Sequence, residues 1–344
     1  MAKTYDEILN QYEAMGKTKR YLDSRAEAIS VLLGEQRPIV AVGCGSSYSL
    51  AQSAAFMAQL RLKRPAMALA GGDLLLRVEE YRPLLEGCLM VVLSRSGETS
   101  EVVRAVEIMR GAGISFKLLA LTCVEGSAIE KAADVTLVMP WAFDESVCQT
   151  RTVSCLYYAF TAIIANAAGM ASRLDTLEAF VRGGAGYLKA VGEAVGALAK
   201  EPWDHAVVLG DGELYGIAQE GALAFKEICQ LSSNDYHVLD VRHGPMVLIN
   251  QKTLVIIAVS CADEPMQRNL VADIVKKGAT VVTVSAKPFE MAGVHAISTG
   301  GKADQAVLGL GLVAVCQMMA YEKAKQTGAN PDAPDGLTAW IELK

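Results

Sequence analysis

Apolar segments recur with nearly the same spacing in each half of this chain, and this recurrence constrains the fold. Segments rich in Val, Ile and Leu begin near residues 39, 89, 117 and 135, and again near 206, 253, 280 and 295. The gaps are about 50, 28 and 18 residues in the first half and about 47, 27 and 15 in the second, which indicates an internal duplication. Helical segments lie between these strands, and such alternation produces parallel sheets covered on both faces. The sequence therefore predicts an α/β protein with two similar sheets.

A loop rich in hydroxyl groups follows the second apolar segment of the first half. The strand at 89–93 is followed by Ser94, Ser96, Thr99 and Ser100, and then by a helix over 102–112. A helix N-terminus has unpaired N–H groups and the positive end of a dipole, so it attracts anions. One Ser or Thr there would be explained by helix capping. Four hydroxyl groups within seven residues favour phosphate binding instead.

The overall charge points away from nucleic acids as partners. The chain carries a net charge of −6, and its isoelectric point is about 5.4. An acidic protein lacks the electrostatic footprint of a nucleic-acid binder, although a local basic pocket for a small anion remains compatible with this charge. The eight cysteines form no C-x-x-C pair and lie mostly inside apolar segments. That pattern is typical of reduced, buried thiols, so we expect a cytoplasmic protein.

Two uncharged stretches raise the question of a membrane. The residues 152–172 carry no charge over 21 positions, and 305–321 carry none over 17. The first stretch is long enough to span a bilayer, but it contains Thr152, Ser154, Thr161 and Asn166. The polar N-terminus also lacks the apolar core of a signal peptide. We therefore expect no membrane association and interpret both stretches as helices buried between layers or at a subunit interface.

Both halves open with a Gly-x-Gly-x-x-Tyr turn after the first strand. A dinucleotide-binding turn requires a third glycine where Tyr48 and Tyr215 stand, so these turns argue against a nicotinamide cofactor. The Walker pattern for nucleotide triphosphates is absent. The four histidines show no metal-ligand spacing. The sequence therefore predicts neither a cofactor nor a metal.

Two carboxylates interrupt the apolar helix that opens the second half. Glu220 and Glu227 are seven residues apart and so lie on one face of that helix, two turns apart. His243 follows in a loop, directly before a Gly-Pro turn. A partly desolvated Glu and a His are suited to proton transfer near neutral pH. Taken alone, however, Glu227 is better explained as a salt-bridged helix residue, and His243 is better explained as an ordinary loop residue.

Several motifs together resemble the SIS (sugar isomerase) family. They are Cys44-Gly45-Ser46-Ser47-Tyr48, Ser94-x-Ser96-Gly97-Glu98-Thr99, the 145–152 loop, Glu220-Gly221-Ala222-Leu223-x-x-Lys226-Glu227 and His243-Gly244-Pro245. The resemblance extends over about residues 25–344 and implies two tandem SIS domains, each a parallel sheet flanked by helices. We expect N-terminal helices over 1–34, domains at 35–172 and 201–328, a helical linker at 173–200, and a tail over 329–344 at the active site.

The resemblance implies roles for particular residues. Hydroxyl groups matching Ser47, Ser94, Ser96 and Thr99 hold a sugar 6-phosphate in this family. The Glu matching Glu227 moves a proton between C1 and C2 of the open-chain sugar, and the His matching His243 assists ring opening or protonation of the leaving group. Because that His reaches in from the neighbouring subunit in relatives, we expect a homodimer or a higher homo-oligomer. The remaining predicted substrate-binding residues are Gly45, Ser46, Arg95, Thr150, Arg151 and Glu220.

The chain departs from glucosamine-6-phosphate synthase at positions that bear on the reaction. Ala224 and Ala339 stand where the isomerase part of that enzyme has lysines for Schiff-base formation and isomerisation. With no glutaminase domain in this sequence, we expect it not to make glucosamine phosphate. The phosphate loop reads Ser-Arg-Ser where Ser-Gln-Ser is common. Arg95 is therefore a partner either for phosphate or for an acidic substituent of the substrate, and Arg151 is a second candidate.

A Glu base and a His acid without lysine suffice to cleave a C–N bond. We therefore expect a deglycase or deaminase that acts on an amino-sugar or fructosamine 6-phosphate. The alternatives are a ketose–aldose isomerase and a non-catalytic sugar-phosphate sensor, since the fold alone decides nothing. In the second half, the turn corresponding to the serine loop reads Ser260-Cys261-Ala262-Asp263, with an acid in place of hydroxyls. This difference assigns phosphate binding to the first half and proton transfer to the second.

Overall fold

The computed structural model describes residues 2–260 and 265–338, which form two compact units. The N-terminal unit consists of Glu13–Glu145 and Gln149–Leu174. The C-terminal unit consists of Asp175–Leu337, together with Ser146–Cys148 and the chain up to Tyr12. The predicted domain boundaries at 34, 172, 200 and 328 stay predictions.

Each unit contains a five-stranded sheet in which all strands are parallel, which confirms the predicted α/β fold with two parallel sheets. The strand order is β2-β1-β3-β4-β5 in the first sheet and β7-β6-β8-β9-β10 in the second, so the same topology occurs twice. The strands are β1 Ile39–Gly43, β2 Ala66–Ala70, β3 Leu89–Ser94, β4 Lys117–Thr122, β5 Val135–Val138, β6 His205–Leu209, β7 Ser232–Tyr236, β8 Thr253–Ala258, β9 Thr280–Ser285 and β10 Val294–Ser298.

Helices connect the strands and cover both faces of each sheet. The first is a single continuous helix, whereas the sequence predicted more than one helix over residues 1–34. The helices are α1 Lys3–Gly34, α2 Ser46–Met57, α3 Gly71–Leu76, α4 Val78–Leu85, α5 Ser100–Gly111, α6 Ala128–Ala132, α7 Arg151–Ala167, α8 Ala171–Leu198, α9 Tyr215–Ile228, α10 Pro265–Lys276 and α11 Gln305–Thr327.

Alternation along the strands separates two packed layers in the N-terminal unit. Val40 and Val42 of β1, with Met90 and Val92 of β3, pack in one cluster with Val102 and other residues of α3–α5. Because successive strand residues point to opposite faces, the residues between them face α2 and α7, which contact each other. Strands β1 and β3 are buried on both faces, and their residues are therefore apolar up to Ser94 at the end of β3.

The C-terminal unit has the same layering. Val207 and Leu209 of β6 pack with Leu270 and Ile274 of α10 on one face. On the opposite face lie α9 and α11, which pack closely because Gly221 has no side chain. A Cβ at Gly221 would lie 2.7 Å from Cys316 Sγ of α11 and 3.3 Å from Val208 Cγ1. The sheet therefore separates α9 from α10.

The two uncharged stretches are helical and mostly buried. The helix α11 is long and apolar enough to cross a membrane by length and composition, but 89% of its most apolar window is buried within the protein. The helix α7, which covers most of the other stretch, is buried along nearly its whole length. Among the described cysteines, all are free thiols, and six of the seven are buried. Core packing therefore explains the hydrophobicity of both helices.

Candidate functional site

The N-terminal unit places two polar loops at the same edge of its sheet. The strands β1 and β3 are neighbours, and the chain leaves them on opposite sides, which makes their carboxyl ends the topological switch point where ligands of such sheets bind. After β1, Gly45 adopts a left-handed backbone (φ 55°) as the residue before α2. Ser46 and Ser47 follow in the first helical turn and are 3% and 5% exposed. The predicted Gly45-Ser46-Ser47 segment therefore lies at this switch point.

The serine loop after β3 is held by its own backbone. The N–H of Gly97 donates to Ser94 Oγ (2.9 Å), and the N–H of Glu98 donates to Ser96 Oγ (3.1 Å). A hydroxyl that accepts such a bond keeps its own proton for a further acceptor, such as a phosphate oxygen. Thr99 is the N-cap residue of α5, but its side chain makes no capping hydrogen bond. Helix capping by Thr99, the simpler interpretation of the sequence, is thus not what the structure shows.

The predicted Arg95, Thr150 and Arg151 all contact Asp144, a buried residue that the sequence analysis missed. Asp144 is 1% exposed, and it accepts hydrogen bonds from the backbone N–H groups of Thr150 (2.7 Å) and Thr152 (2.9 Å) at the start of α7. Arg151 Nε lies 3.6 Å from Asp144 Oδ1. Arg95 Nη1 donates to the Asp144 carbonyl (3.5 Å). Both guanidinium groups therefore have partners in the protein.

Phe143 completes this arrangement. Its carbonyl accepts a hydrogen bond from Arg151 Nη2, and its ring lies 5.9 Å from the Arg95 guanidinium carbon. Arg95 is 4% exposed. A buried guanidinium held by a carbonyl and an aromatic ring orders the loop before α7. The geometry thus gives Arg95 and Arg151 a structural function, whether or not they also meet a substrate.

In the C-terminal unit, α9 carries both predicted carboxylates. Glu220 is 2% exposed and lies near Cys316, where burial first and the Glu220 charge second raise the pKa of the thiol. Glu227, two turns further along, is half-buried. Ala224, which stands where a synthase lysine is expected, is 4% exposed on the same helix. The half-buried Glu227 is therefore the carboxylate better placed to meet a ligand.

A cavity of about 570 Å³ opens at the end of α9 that carries Glu227. It is lined by Lys226, Gln230, Leu231, Ser232, Ser233 and Asn234. Gln230 Nε2 also donates to the Asp335 carbonyl (2.9 Å), so the described part of the predicted tail reaches this end of α9. Ala339, at the second missing-lysine position, and Asp263, in the acidic turn, lie outside the described residues.

His243 lies in the crossover between β7 and β8 and is exposed. Val238 and Val241, earlier in the same segment, pack with α10 in the core of one sheet face. Glu227 belongs to α9, which contacts β6 and β7 on the other face. The C-terminal unit therefore does not bring its own Glu227 and His243 together, because its sheet stands between the elements that carry them.

A second cluster that the sequence analysis missed lies at the carboxyl ends of β6 and β7. The His237 ring is stacked on the Tyr215 ring with 4.0 Å between centroids, and His237 Nδ1 lies 3.2 Å from Asp211 Oδ1. The signal available in the sequence was the Gly-x-Gly-x-x-Tyr turn, which contains Asp211 and Tyr215. Within residues 2–260 and 265–338, no group of three or more His, Cys, Asp or Glu side chains could hold a metal ion.

Comparison with known proteins identifies the family. Residues 32–164 match the family model of the SIS domain. This segment contains the Ser46–Ser47 turn, the serine loop and the start of α7. This part of the chain therefore belongs to the SIS domain family, which confirms the resemblance carried by the motifs of the first half.

Relatives with similar sequences and structures cover nearly the whole chain. It is 27% identical over 355 residues to a glutamine–fructose-6-phosphate aminotransferase (isomerizing) from Pyrobaculum aerophilum, an alignment that covers 98% of this chain and 57% of the relative. The chain thus spans little more than half the length of that relative. A glucosamine-6-phosphate deaminase from Thermotoga maritima has a similar structure, with a TM-score of 0.82, 27% identity, and coverage of 99% of this chain and 100% of the other.

A tagatose-6-phosphate ketose/aldose isomerase from Escherichia coli shares the fold, with a TM-score of 0.85 and 22% identity. The alignment covers 99% of this chain and 98% of the isomerase. At this level of identity the similarity establishes the fold alone. The same architecture thus occurs in proteins named for different phosphosugar reactions, and the residues of the site must decide between them.

Proposed function

We propose that this chain is a phosphosugar enzyme that cleaves the C–N bond of an amino-sugar or fructosamine 6-phosphate. The observation that carries the proposal is the composition of α9, which keeps a half-buried Glu227 but has a buried Ala224 where a synthase lysine is expected. A site with a carboxylate base and no amine at that position can move protons, but it cannot form a Schiff base there. The similarity to the Thermotoga maritima deaminase over the full length supports this class of reaction.

The N-terminal unit would bind the phosphate. Its Ser46–Ser47 turn and its Ser94–Thr99 loop follow adjacent strands and lie at the switch point of the sheet. Hydroxyl groups and the N-terminal ends of α2 and α5 provide donors and positive dipole ends for a phosphate monoester. We infer that the C-terminal unit, whose strand order is the same, is a second SIS domain that supplies the proton-transfer groups.

The chemistry would follow from a base and an acid. Glu227 takes the proton from C1 or C2 of the open-chain sugar, and the electron pair of that C–H bond forms the double bond of an enolamine. Protonation of the other carbon of the C1–C2 pair converts the enolamine into an imine, and water adds to the C=N carbon to give a carbinolamine. The C–N bond of the carbinolamine then breaks as its hydroxyl becomes the carbonyl of the hexose phosphate, and the amine leaves with a proton supplied by His243. Each proton transfer by a positioned group contributes on the order of 10²–10⁴-fold to the rate.

A homodimer accounts for the placement of the two catalytic candidates. Glu227 and His243 lie on elements at opposite faces of one sheet, so a site that contains both needs His243 from a second copy. Next to His243, the exposed side chains of Val247 (79%) and Leu248 (54%) offer an apolar surface that a second copy could cover. The phosphosugar is then the small-molecule partner, and a cytoplasmic location stays a prediction.

To test the proposal, the protein is incubated with the 6-phosphates of fructose-lysine, fructose-aspartate and glucosamine. The released amine and hexose phosphate are measured. Release from any of them supports the proposal. If none is turned over and fructose 6-phosphate is instead converted to an aldose phosphate, the protein is the alternative ketose–aldose isomerase. Binding of these phosphates without conversion of any would identify the second alternative, a sugar-phosphate sensor.

A further inference from the structure

Asp211 is the centre of a small anchor at the carboxyl ends of β6 and β7. Its Oδ1 atom lies 3.2 Å from His237 Nδ1 and accepts a hydrogen bond from the backbone N–H of Val238 (2.9 Å). The Tyr215 ring covers the His237 imidazole in a nearly parallel stack, with an angle of 12° between the planes. The carboxylate therefore holds both the side chain of the first residue after β7 and the backbone of the second.

Successive hydrogen bonds continue from this anchor to His243. The N–H of Val241 donates to the His237 carbonyl (3.2 Å), and the N–H of His243 donates to the Asp240 carbonyl (2.9 Å). Between them, Arg242 pairs with Asp273 of α10 at 2.8 Å. The turn that presents His243 is thus fixed at one end by Asp211 and near the other by α10.

The N-terminal unit has a residue at the position that corresponds to Asp211, although a glycine rather than a histidine follows its second strand. Cys44 is the middle residue of the Gly-x-Gly turn after β1, as Asp211 is after β6. The Cys44 thiol lies against Gly71, which follows β2, since a Cβ at Gly71 would lie 2.6 Å from Cys44 Sγ. The two sheets therefore use the same position to join the ends of corresponding strands. In the C-terminal unit the joined residue is a histidine, and the segment beyond it leads to the predicted acid.

We propose that Asp211 is a positioning residue that, through His237 and Val238, fixes the turn over 238–243 and thereby the imidazole of His243. The part of this inference that concerns catalysis rests on the function proposed for His243, whereas the structural part does not. Misplacement of a catalytic group by about 1 Å can reduce a rate about 10²-fold, so a positioning residue is expected to act on kcat rather than on KM.

The positioning of the turn by Asp211 is tested by amide hydrogen exchange, measured by NMR. Asp211→Ala should accelerate exchange of the Val241 and His243 amides at least ~10-fold, because their turn loses its anchor. Asp211→Asn keeps an acceptor for Val238 and should preserve most of the protection. The matched control is His205→Gln, since His205 bonds to Asn234 (2.8 Å) at the opposite end of the same strand pair. Unchanged exchange at His243 in Asp211→Ala overturns the proposal.

The part of the inference that concerns catalysis is tested by steady-state kinetics, on whichever of the sugar phosphates the protein converts. Asp211→Ala should lower kcat about 10- to 100-fold with little change in KM, and His237→Asn, which keeps a donor near the Nδ1 position, should restore most of the rate relative to His237→Ala. In a His243→Ala background, Asp211→Ala should have no further effect. An undiminished effect there refutes the inference. A different outcome separates the two proposals. If Asp211→Ala accelerates exchange at the His243 amide but His243→Ala is fully active, the role proposed for His243 is refuted, and the positioning of the turn by Asp211 stands.

Discussion

Glu227 and His243 are carried on opposite faces of the same parallel sheet. The helix α9, which bears Glu227, packs on β6 and β7, and the segment before His243 packs with α10 on the reverse side. Within one chain, these two side chains are therefore carried on different sides of the sheet. Under the proposed function, a site that uses both groups would be built from two copies of the chain, and this proposal can be tested directly.

Mixing of inactive subunits should restore activity. We expect Glu227→Gln and His243→Ala each to retain about 1% of the wild-type activity or less, because each lacks one proton-transfer group. When the two are co-expressed or refolded together, about half the dimers are mixed, and one of the two sites in each mixed dimer is intact, which gives roughly a quarter of the wild-type activity. Two variants that remain inactive after mixing, in dimers shown to exchange, would assign both groups to one chain.

Glu227→Gln should separate chemistry from binding. The substitution keeps the size and the hydrogen-bonding capacity of the side chain but removes the base, so turnover should fall by at least ~10²-fold while calorimetric affinity for fructose 6-phosphate changes little. Glu178→Gln is the control, since Glu178 lies on α8, a different helix, and pairs there with Arg182 (3.7 Å). Substantial activity in Glu227→Gln would move the base to another residue.

The hydroxyl groups of the serine loop should contribute to phosphate affinity. Ser96→Ala and Thr99→Ala should each weaken fructose 6-phosphate binding by about 1–2 kcal/mol, or roughly 5- to 30-fold, since each removes a hydrogen bond to a charged group. Ser53→Ala is the matched control, because Ser53 is fully buried within α2 and lies away from the loop. Equal affinities in all three variants would place the phosphate elsewhere.

Acid should selectively weaken the attachment of the C-terminal segment to α1. Asp332 accepts hydrogen bonds from the N–H groups of Lys3 (2.9 Å) and Thr4 (2.8 Å). Burial works to raise the pKa of Asp332, but the hydrogen bonds from Thr4 and Lys3 outweigh it, and the pKa lies below its ordinary value. A carboxyl group with a lowered pKa stabilises the fold above its unfolded pKa of about 4 and loses that contribution as the pH falls through its folded value.

Asp332→Asn should therefore lower the free energy of unfolding at pH 7 by about 0.5–1 kcal/mol, the usual contribution of a carboxylate at a helix N-terminus. The difference from wild type should shrink as the pH falls below about 4, which thermal unfolding at several pH values would reveal. Asp335→Asn serves as the control, since the backbone carbonyl of Asp335 makes its bond to Gln230. A difference that stayed constant down to pH 2 would exclude ionisation of Asp332 as the cause.

The sequence predicted the central strands better than the edge strands. The buried strands β1, β3 and β8 are apolar along nearly their whole length and were located from that pattern. The strands β2 and β7 were missed, because Ala66–Ala70 has little side chain to pack and Ser232–Tyr236 is polar. Edge strands of this kind are fixed by pairing with a neighbour, here β1 and β6, rather than by their own hydrophobic pattern.

In the candidate site too, features formed by neighbouring residues could be predicted from the sequence, whereas contacts between distant residues could not. The hydroxyls over 94–100 could be recognised because they are contiguous and follow a strand. Asp144 is 49 residues from Arg95, and His237 is 26 from Asp211, so only the folded chain reveals these pairs. The sequence likewise could not show that Glu227 and His243 are carried on opposite faces of the sheet, because this depends on the path of the crossover from β7 to β8.

The buried helix α11 has a consequence for how the protein is made. It packs against α9, and its residues follow every described strand in the chain. During translation, the sheet of the C-terminal unit and the helix that bears Glu227 are complete before the segment that covers them leaves the ribosome. The nascent chain therefore exposes an apolar surface until residues 305–327 emerge, and this interval is when it most needs protection from aggregation.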